Sequence, residues 1–123
     1  MHCARLRRRR LAVVTSDFHM PRTAATFDFC YRLAGQQLYD DPGWFDLQYL
    51  PVSDEGLFSP EVLVARAAKE AAAVETWKAN TARLRSLADL HAWLFSTHLC
   101  YSVSRQHEFA KAADLDPRLA ATY

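Results

Sequence analysis

The chain has 123 residues, half of them hydrophobic and 12% aromatic, which fits one globular domain and excludes a disordered polymer. The formal net charge of +1 argues against a protein dedicated to nucleic acids, so nucleic acid is not an expected partner. No apolar run approaches the ~20 residues of a transmembrane segment. The three cysteines lack C-x-x-C spacing, which indicates free thiols in a reducing compartment, and we expect an intracellular, cytoplasmic protein.

Positive charge is concentrated at the beginning of the chain, where five of the first ten residues are arginine. A block of this kind can contact nucleic acid or anionic lipid, and arginine-rich transit peptides have a related composition. Serine, which transit peptides also favour, is absent from the block. We interpret residues 1–10 as a basic N-terminal segment upstream of the folded part, and the role of the Arg7–Arg10 block stays open.

A short apolar run, Leu11–Val14, opens the folded part. It lacks alternation, which predicts a strand covered on both faces, as in a parallel sheet. A polar turn follows, and Pro21 suits the first turn of a helix because its missing N–H has no intrahelical partner there. This helix is predicted to run to about Ala34, with Gly35 as its C-cap.

A second strand is predicted after the turn at Asp40–Gly43. Phe45, Leu47 and Tyr49 alternate with polar residues, which is the pattern of a half-buried strand. A strand, a helix and a strand at this spacing predict a βαβ unit with a right-handed parallel crossover.

A strong helix start comes next, with Ser59 as N-cap, Pro60 in the first turn and Glu61 near the positive end of the helix dipole. Glycine and proline are then absent up to Asp116, so residues 61–98 predict one long helix, or two with a bend. The apolar stripe of this segment consists of Leu63, Ala67, Val74, Trp77, Leu84, Leu87 and Leu94. Residues 99–123 are expected to form a C-terminal tail, partly helical at 106–113.

Polar side chains cluster where the first strand passes into the first helix. Thr15 and Ser16 offer hydroxyls at the strand end, where open parallel sheets bind their ligands. Arg22 can grip a phosphate or carboxylate, and the helix N-terminus favours an anion at the same place. His19 can donate to a ligand or act as a general acid or base. The alternative is structural: Ser16 or Asp17 caps the helix, His19 is solvated and Arg22 pairs locally.

Glu70 is a second candidate because it falls within an apolar helix stripe. A carboxylate on a buried face needs a partner, and Arg22 or His19 would tie the long helix to the polar junction. The alternative places Glu70 at the rim of the helix beside Lys69 and Arg66, with its carboxylate in water.

Other chemistry has weaker support in the sequence. His91, His98, Cys100 and His107 match no zinc-binding spacing, and we assign no metal site. The sequence has no G-x-S-x-G motif, and we assign no catalytic residue.

The polar junction also carries a family resemblance. Its residues Thr15, Ser16, His19 and Arg22 match, position by position, the T-S-x-x-H-x-x-R signature of the DUF218 family, which includes YdcF-, SanA- and ElyC-like proteins. The segment 49–57 and the Lys69-Glu70 pair resemble the eukaryotic-type members. The resemblance covers roughly residues 11–94, and we expect a partial DUF218-like domain at 11–98. It implies a Rossmann-like three-layer α/β/α fold and an anionic or nucleotide-like ligand, with S-adenosylmethionine as a candidate cofactor.

The chain also departs from the family pattern, because the strands and glycine-rich turn that family members carry before this strand are missing. The three glycines, Gly35, Gly43 and Gly56, form no phosphate-binding motif. We therefore expect a C-terminal half of such a domain, a truncated βαβ unit followed by a long helix, from a truncated or degenerate gene. Two strands alone leave strand edges and apolar faces uncovered, so we expect Leu11–Val14 to be exposed on at least one side. Such a chain needs the missing strands, a partner or self-association. The alternative function is that of a non-enzymatic helical interaction fragment.

Overall fold

The computed structural model describes residues 8–98, so the expected helix at 106–113 and most of the basic segment lie outside the described residues. Two strands, three α-helices and one short 3-10 turn follow one another along the described part. In chain order they are β1 (Arg10–Ser16), the 3-10 turn (Asp17–His19), α1 (Met20–Tyr39), β2 (Asp46–Val52), α2 (Pro60–Thr81) and α3 (Leu87–Ser96). None of the described helices is both long enough and apolar enough to cross a bilayer.

The two strands form a parallel pair in which Val13 lies opposite Tyr49 and Ser16 lies opposite Val52. This confirms the α/β class, with α1 as the connection between parallel strands. The strand predicted at residues 45–49 forms at Asp46–Val52, and β1 extends beyond the predicted apolar run by one residue before and two after.

Only one face of the sheet is covered among the described residues. Val13 and Phe45 are buried on the side where α1 packs, whereas Val14 is 61% exposed and Val52 is 55% exposed. The cover on both faces that the apolar run favours is therefore not observed, whereas the exposed face expected for a sheet of only two strands is present. An apolar run without alternation is typical of two-sided burial, but here a helical layer packs on one side only.

The prediction that α1 ends at Gly35 is wrong, since the helix continues to Tyr39. Asp40 ends it in a left-handed conformation with φ of 54°, and its N–H donates to the carbonyl of Gln36. Gly35 is needed for another reason: a Cβ at this position would collide with the carbonyl oxygen of Asp41. The chain folds back so tightly onto the helix that only glycine fits there.

The long helical segment is divided into two helices, one of the two arrangements expected. α2 begins at the predicted cap, where Ser59 Oγ accepts from the N–H of Val62 at 3.4 Å. It ends at Thr81, and α3 starts with a capping box in which Ser86 Oγ accepts from the N–H of Asp89. The spacing of Ser86 and Asp89 is the sequence signal for this restart.

Both later helices pack on α1. Trp77 of α2 donates its indole N–H to the carbonyl of Ala25 and meets the ring of Phe29 edge-on. On α3, Leu90 is buried, and Trp93 packs edge-on against Trp77. Trp77 and Trp93, both partly buried, thus contribute to the packing between the helices.

Candidate functional site

The polar junction lies at the carboxyl end of β1, which ends at Ser16 and passes through the 3-10 turn into α1. Pro21 occupies the first turn of α1, as expected. His19 is the residue that precedes this helix, and its side chain does not cap the helix. The ring is therefore free to point elsewhere.

Glu70 is the centre of the junction. Its side chain is only 4% exposed, with Oε1 lying 3.1 Å from Nδ1 of His19 and Oε2 lying 2.6 Å from Nε of Arg22. The structure thus has the buried, partnered arrangement and not the rim arrangement. One carboxylate links α2 to both candidate residues at the start of α1.

Both contacts of Glu70 are close charge contacts and not aligned hydrogen bonds. The contact with His19, at 3.1 Å, has the length of a hydrogen bond without its alignment. The contact with Arg22 is an ion pair without hydrogen-bond alignment, because Oε2 has no aligned donor among residues 8–98. The Arg22 side chain is 46% exposed, so the two terminal guanidinium nitrogens remain available for another acceptor.

Thr15 and Ser16 are the last two residues of β1, opposite Pro51 and Val52 of β2. Both are partly exposed, and within the described part of the chain neither hydroxyl makes a side-chain hydrogen bond. Ser16 precedes the 3-10 turn without capping it. The capping alternative for Ser16 is therefore not observed. The structure places these hydroxyls beside the junction but brings only His19, Arg22 and Glu70 into contact.

Two further residues at this end of the sheet, Asp54 and Arg66, were not predicted as site residues from the sequence. Asp54 is buried and accepts a hydrogen bond from the N–H of Phe18 at 3.0 Å, which fixes the turn before His19. Arg66 is buried one helical turn before Glu70, and its guanidinium carbon lies 4.5 Å and 4.7 Å from the ring centroids of Phe18 and Phe58. The available signals were the position of Asp54 just after a strand and the spacing between Arg66 and Glu70.

Two depressions flank the junction. A cleft of about 780 Å³ lies on the side of Asp17, Asp54 and Phe58. A groove of about 620 Å³ begins at Arg22 and runs between the three helices along Trp77 and Trp93. Of the candidate residues, Arg22 is the one that borders this groove, which places it at the edge of a ligand-sized space.

The remaining titratable side chains have ordinary packing roles. Within residues 8–98, no three His, Cys, Asp or Glu side chains lie close enough together to hold a metal ion. His91 packs on Phe95 and His98 packs on Trp93, while Cys100 and His107 lie outside the described residues. Burial raises the pKa of the Cys30 thiol. The thiol therefore stays neutral and packs as a small apolar group between the helices.

The chain matches no protein-family model, no curated protein and no solved structure. The resemblance to the DUF218 family therefore rests on Thr15, Ser16, His19 and Arg22 and on segments 49–57 and 69–70 of the sequence.

Proposed function

We propose that this chain is a DUF218-like, Rossmann-like domain fragment that binds an anionic, nucleotide-like small molecule at the junction of Thr15, Ser16, His19, Arg22 and Glu70. In this proposal Arg22 donates to the anion from its terminal guanidinium nitrogens. His19 and the hydroxyls of Thr15 and Ser16 supply further hydrogen bonds. No reaction is assigned.

The observation that carries the proposal is the buried carboxylate of Glu70 between two cationic or polar partners. A buried ion pair is seldom more stabilising than apolar residues of the same volume, because both charges lose their hydration. Holding α2 against α1 did not require it, since Trp77 already packs across that interface. A buried carboxylate that orients a histidine and an arginine at the carboxyl end of a strand is typical of a ligand-binding site.

The groove beside Arg22 supports a ligand larger than a simple ion. Its walls include Phe27, Trp77 and Trp93, against which a planar base could pack. S-adenosylmethionine is a candidate, because its carboxylate suits Arg22 and its planar base could pack on the same walls. The turn between β1 and α1 has no glycine, so we do not expect the close backbone approach by which Rossmann folds bind the pyrophosphate of a dinucleotide. The proposal is therefore limited to the anion and its attached planar group.

Isothermal titration of the 123-residue chain with adenosine monophosphate tests the proposal. Replacing Arg22 by lysine keeps a positive charge near Glu70 but removes the forked donors. We expect Arg22→Lys to weaken binding about ten- to a hundred-fold, the size of a charged hydrogen bond. Arg83→Lys is the matched control, because Arg83 is exposed and lies away from the junction.

Equal affinity of Arg22→Lys and wild type would contradict the proposal, as would wild type that binds neither adenosine monophosphate nor inorganic phosphate. Circular dichroism spectra of each variant show whether the helices are intact, so that loss of binding is not confused with loss of fold.

A second candidate function is self-association through the uncovered sheet. Val14, Leu50 and Val52 are 61%, 40% and 55% exposed on the open face, and within residues 8–98 each strand has one edge without a neighbouring strand. Such edges and apolar faces pair readily with a second copy of the same chain.

Sedimentation velocity distinguishes this function from small-molecule binding by a monomer. If copies pair through the open face, Val14→Lys should shift the chain toward the monomer, because a charge would be buried in the contact. Val64→Lys is the control, since Val64 is equally exposed, at 68%, but lies on α2. A wild-type chain that is monomeric at high concentration contradicts self-association.

A further inference from the structure

The two ring nitrogens of His19 face different surroundings. Nδ1 lies 3.1 Å from a carboxylate oxygen of Glu70, whose side chain is almost fully buried. The ring also packs on Phe18, with centroids 4.2 Å apart, and its side chain is 30% exposed. Nε2 is therefore the nitrogen that remains for a ligand.

The chemistry of the carboxylate decides where the proton is. An ionised carboxylate can only accept hydrogen bonds and would repel a nitrogen lone pair 3.1 Å away, so this contact favours the proton on Nδ1. In a neutral imidazole, Nε2 is then left with a lone pair and acts as an acceptor. The nitrogens of Arg22 also have separate roles. Its Nε faces Glu70, so only its terminal nitrogens are left to donate to a ligand.

We propose that Glu70 is a positioning residue that fixes the proton of His19 on Nδ1, so that the site takes an oxyanion carrying a hydroxyl group of its own. The ligand-class part of this inference rests on the proposed function. Arg22 donates to the oxyanion, and Nε2 of His19 accepts from the hydroxyl. Glu70 acts through these two residues and does not touch the ligand.

The sequence positions of the two residues make a single ligand reachable for both. His19 and Arg22 are three residues apart at a helix start, which places them as neighbours on the same side. A bare anion would meet the lone pair of Nε2 and be repelled by it, whereas a hydroxyl beside the anion would donate to it. The pair therefore discriminates between oxyanions by the presence of a nearby hydroxyl.

The tautomer can be measured without any ligand. Long-range ¹H–¹⁵N correlation spectra of histidine-labelled protein, recorded at a pH where the imidazole is neutral, distinguish the protonated nitrogen from the bare one. We expect the Nδ1–H form for His19 in wild type and in Glu75→Met, whose exposed carboxylate lies elsewhere on α2. In Glu70→Met the acceptor is gone, and the Nε2–H form should appear.

The ligand class is tested with 2-hydroxyethyl phosphate and ethyl phosphate, which differ by one hydroxyl. Wild type should bind the hydroxylated ester about three- to ten-fold more tightly, the effect of one hydrogen bond. In Glu70→Met this preference should fall to about one. A residue with a purely structural role would lower both affinities together and leave their ratio unchanged.

The outcomes separate the two proposals. A His19 proton on Nε2 in wild type overturns the positioning role, whether or not the phosphates bind. Equal affinity for the two esters in wild type overturns the hydroxyl preference. Failure of both esters to bind while Nδ1 carries the proton contradicts the proposed function and the ligand class, and leaves the role of Glu70 supported. If Glu70→Met does not fold, the wild-type spectrum and the wild-type affinity ratio still decide.

Discussion

The helices α2 and α3 are held against the rest of the molecule by different kinds of contact. α3 is attached through apolar side chains, with Leu90 buried and Trp93 packed on Trp77. The first half of α2 is attached through a buried carboxylate that meets His19 and Arg22. Apolar contacts are sufficient to hold a helix in place, so the charged contact indicates a requirement other than stability.

Among the variants that test this comparison, the largest loss of stability is expected at Leu90. Leu90→Ala should lower the free energy of unfolding by about 3 kcal/mol, because it removes apolar contacts and leaves a cavity between α3 and α1. Leu38→Ala is the control, since Leu38 is 48% exposed on α1 and should change stability by less than about 0.5 kcal/mol. Urea unfolding followed by circular dichroism measures both, and equal effects would show that α3 is not attached through Leu90.

A smaller change in stability is expected at Glu70, where the contact between α2 and the start of α1 is charged. Glu70→Met keeps the side-chain volume, and the partly exposed Arg22 and His19 can return to water, so stability should change by less than about 1 kcal/mol. The same variant should lose the preference for a hydroxylated phosphate ester. A loss of 3 kcal/mol or more in urea unfolding would instead make Glu70 a structural clamp and remove the contrast with α3.

The smallest effect concerns the start of α3, where a stabilising contribution is lost in acid. The backbone N–H of Arg85, and then Ser86, lower the pKa of Asp89 below its usual range. A lowered pKa in the folded state means that the ionised carboxylate stabilises the fold. This contribution is complete above the ordinary Asp value of about 3.9 and is lost as the pH falls through the lowered value.

The difference between wild type and Asp89→Asn isolates this effect from the other carboxylates. Wild type should be the more stable of the two at pH 6, and the difference in melting temperature should shrink as the pH approaches 3. A difference that stays constant or grows in acid would contradict the assigned role of Asp89.

Local features of the fold were predictable from the sequence. Pro21, the Ser59 cap and the alternation of residues 45–49 each depend on a few neighbouring residues, and each leads to the element that forms. The end of α1 was not predictable in this way, because Gly35 is required by the approach of Asp41 and not by helix termination. The open sheet face was expected from the count of only two strands, whereas the apolar run taken alone favoured cover on both faces, because such a run does not reveal how many layers pack on it.

The site residues, too, were predictable only where a local sequence pattern marks them. His19 and Arg22 stand out because they follow a strand, and the position of Glu70 in an apolar stripe already required a partner. The supporting contacts of Phe18 with Asp54 and with Arg66 join residues more than 35 positions apart. Contacts over such sequence distances depend on how the helices pack, and neither spacing nor composition gives that.

Chemical-shift mapping with adenosine monophosphate tests the central claim most directly, since it shows where on the chain the ligand binds. ¹H–¹⁵N spectra of the labelled chain report on the Nε–H of Arg22, the ring of His19 and the Nε–H of the exposed Arg83. We expect saturable shifts at Arg22 and His19 and none at Arg83. Saturable shifts confined to the cleft around Asp17 and Phe58, or no shifts at any concentration, would contradict a ligand site at the junction of β1 and α1.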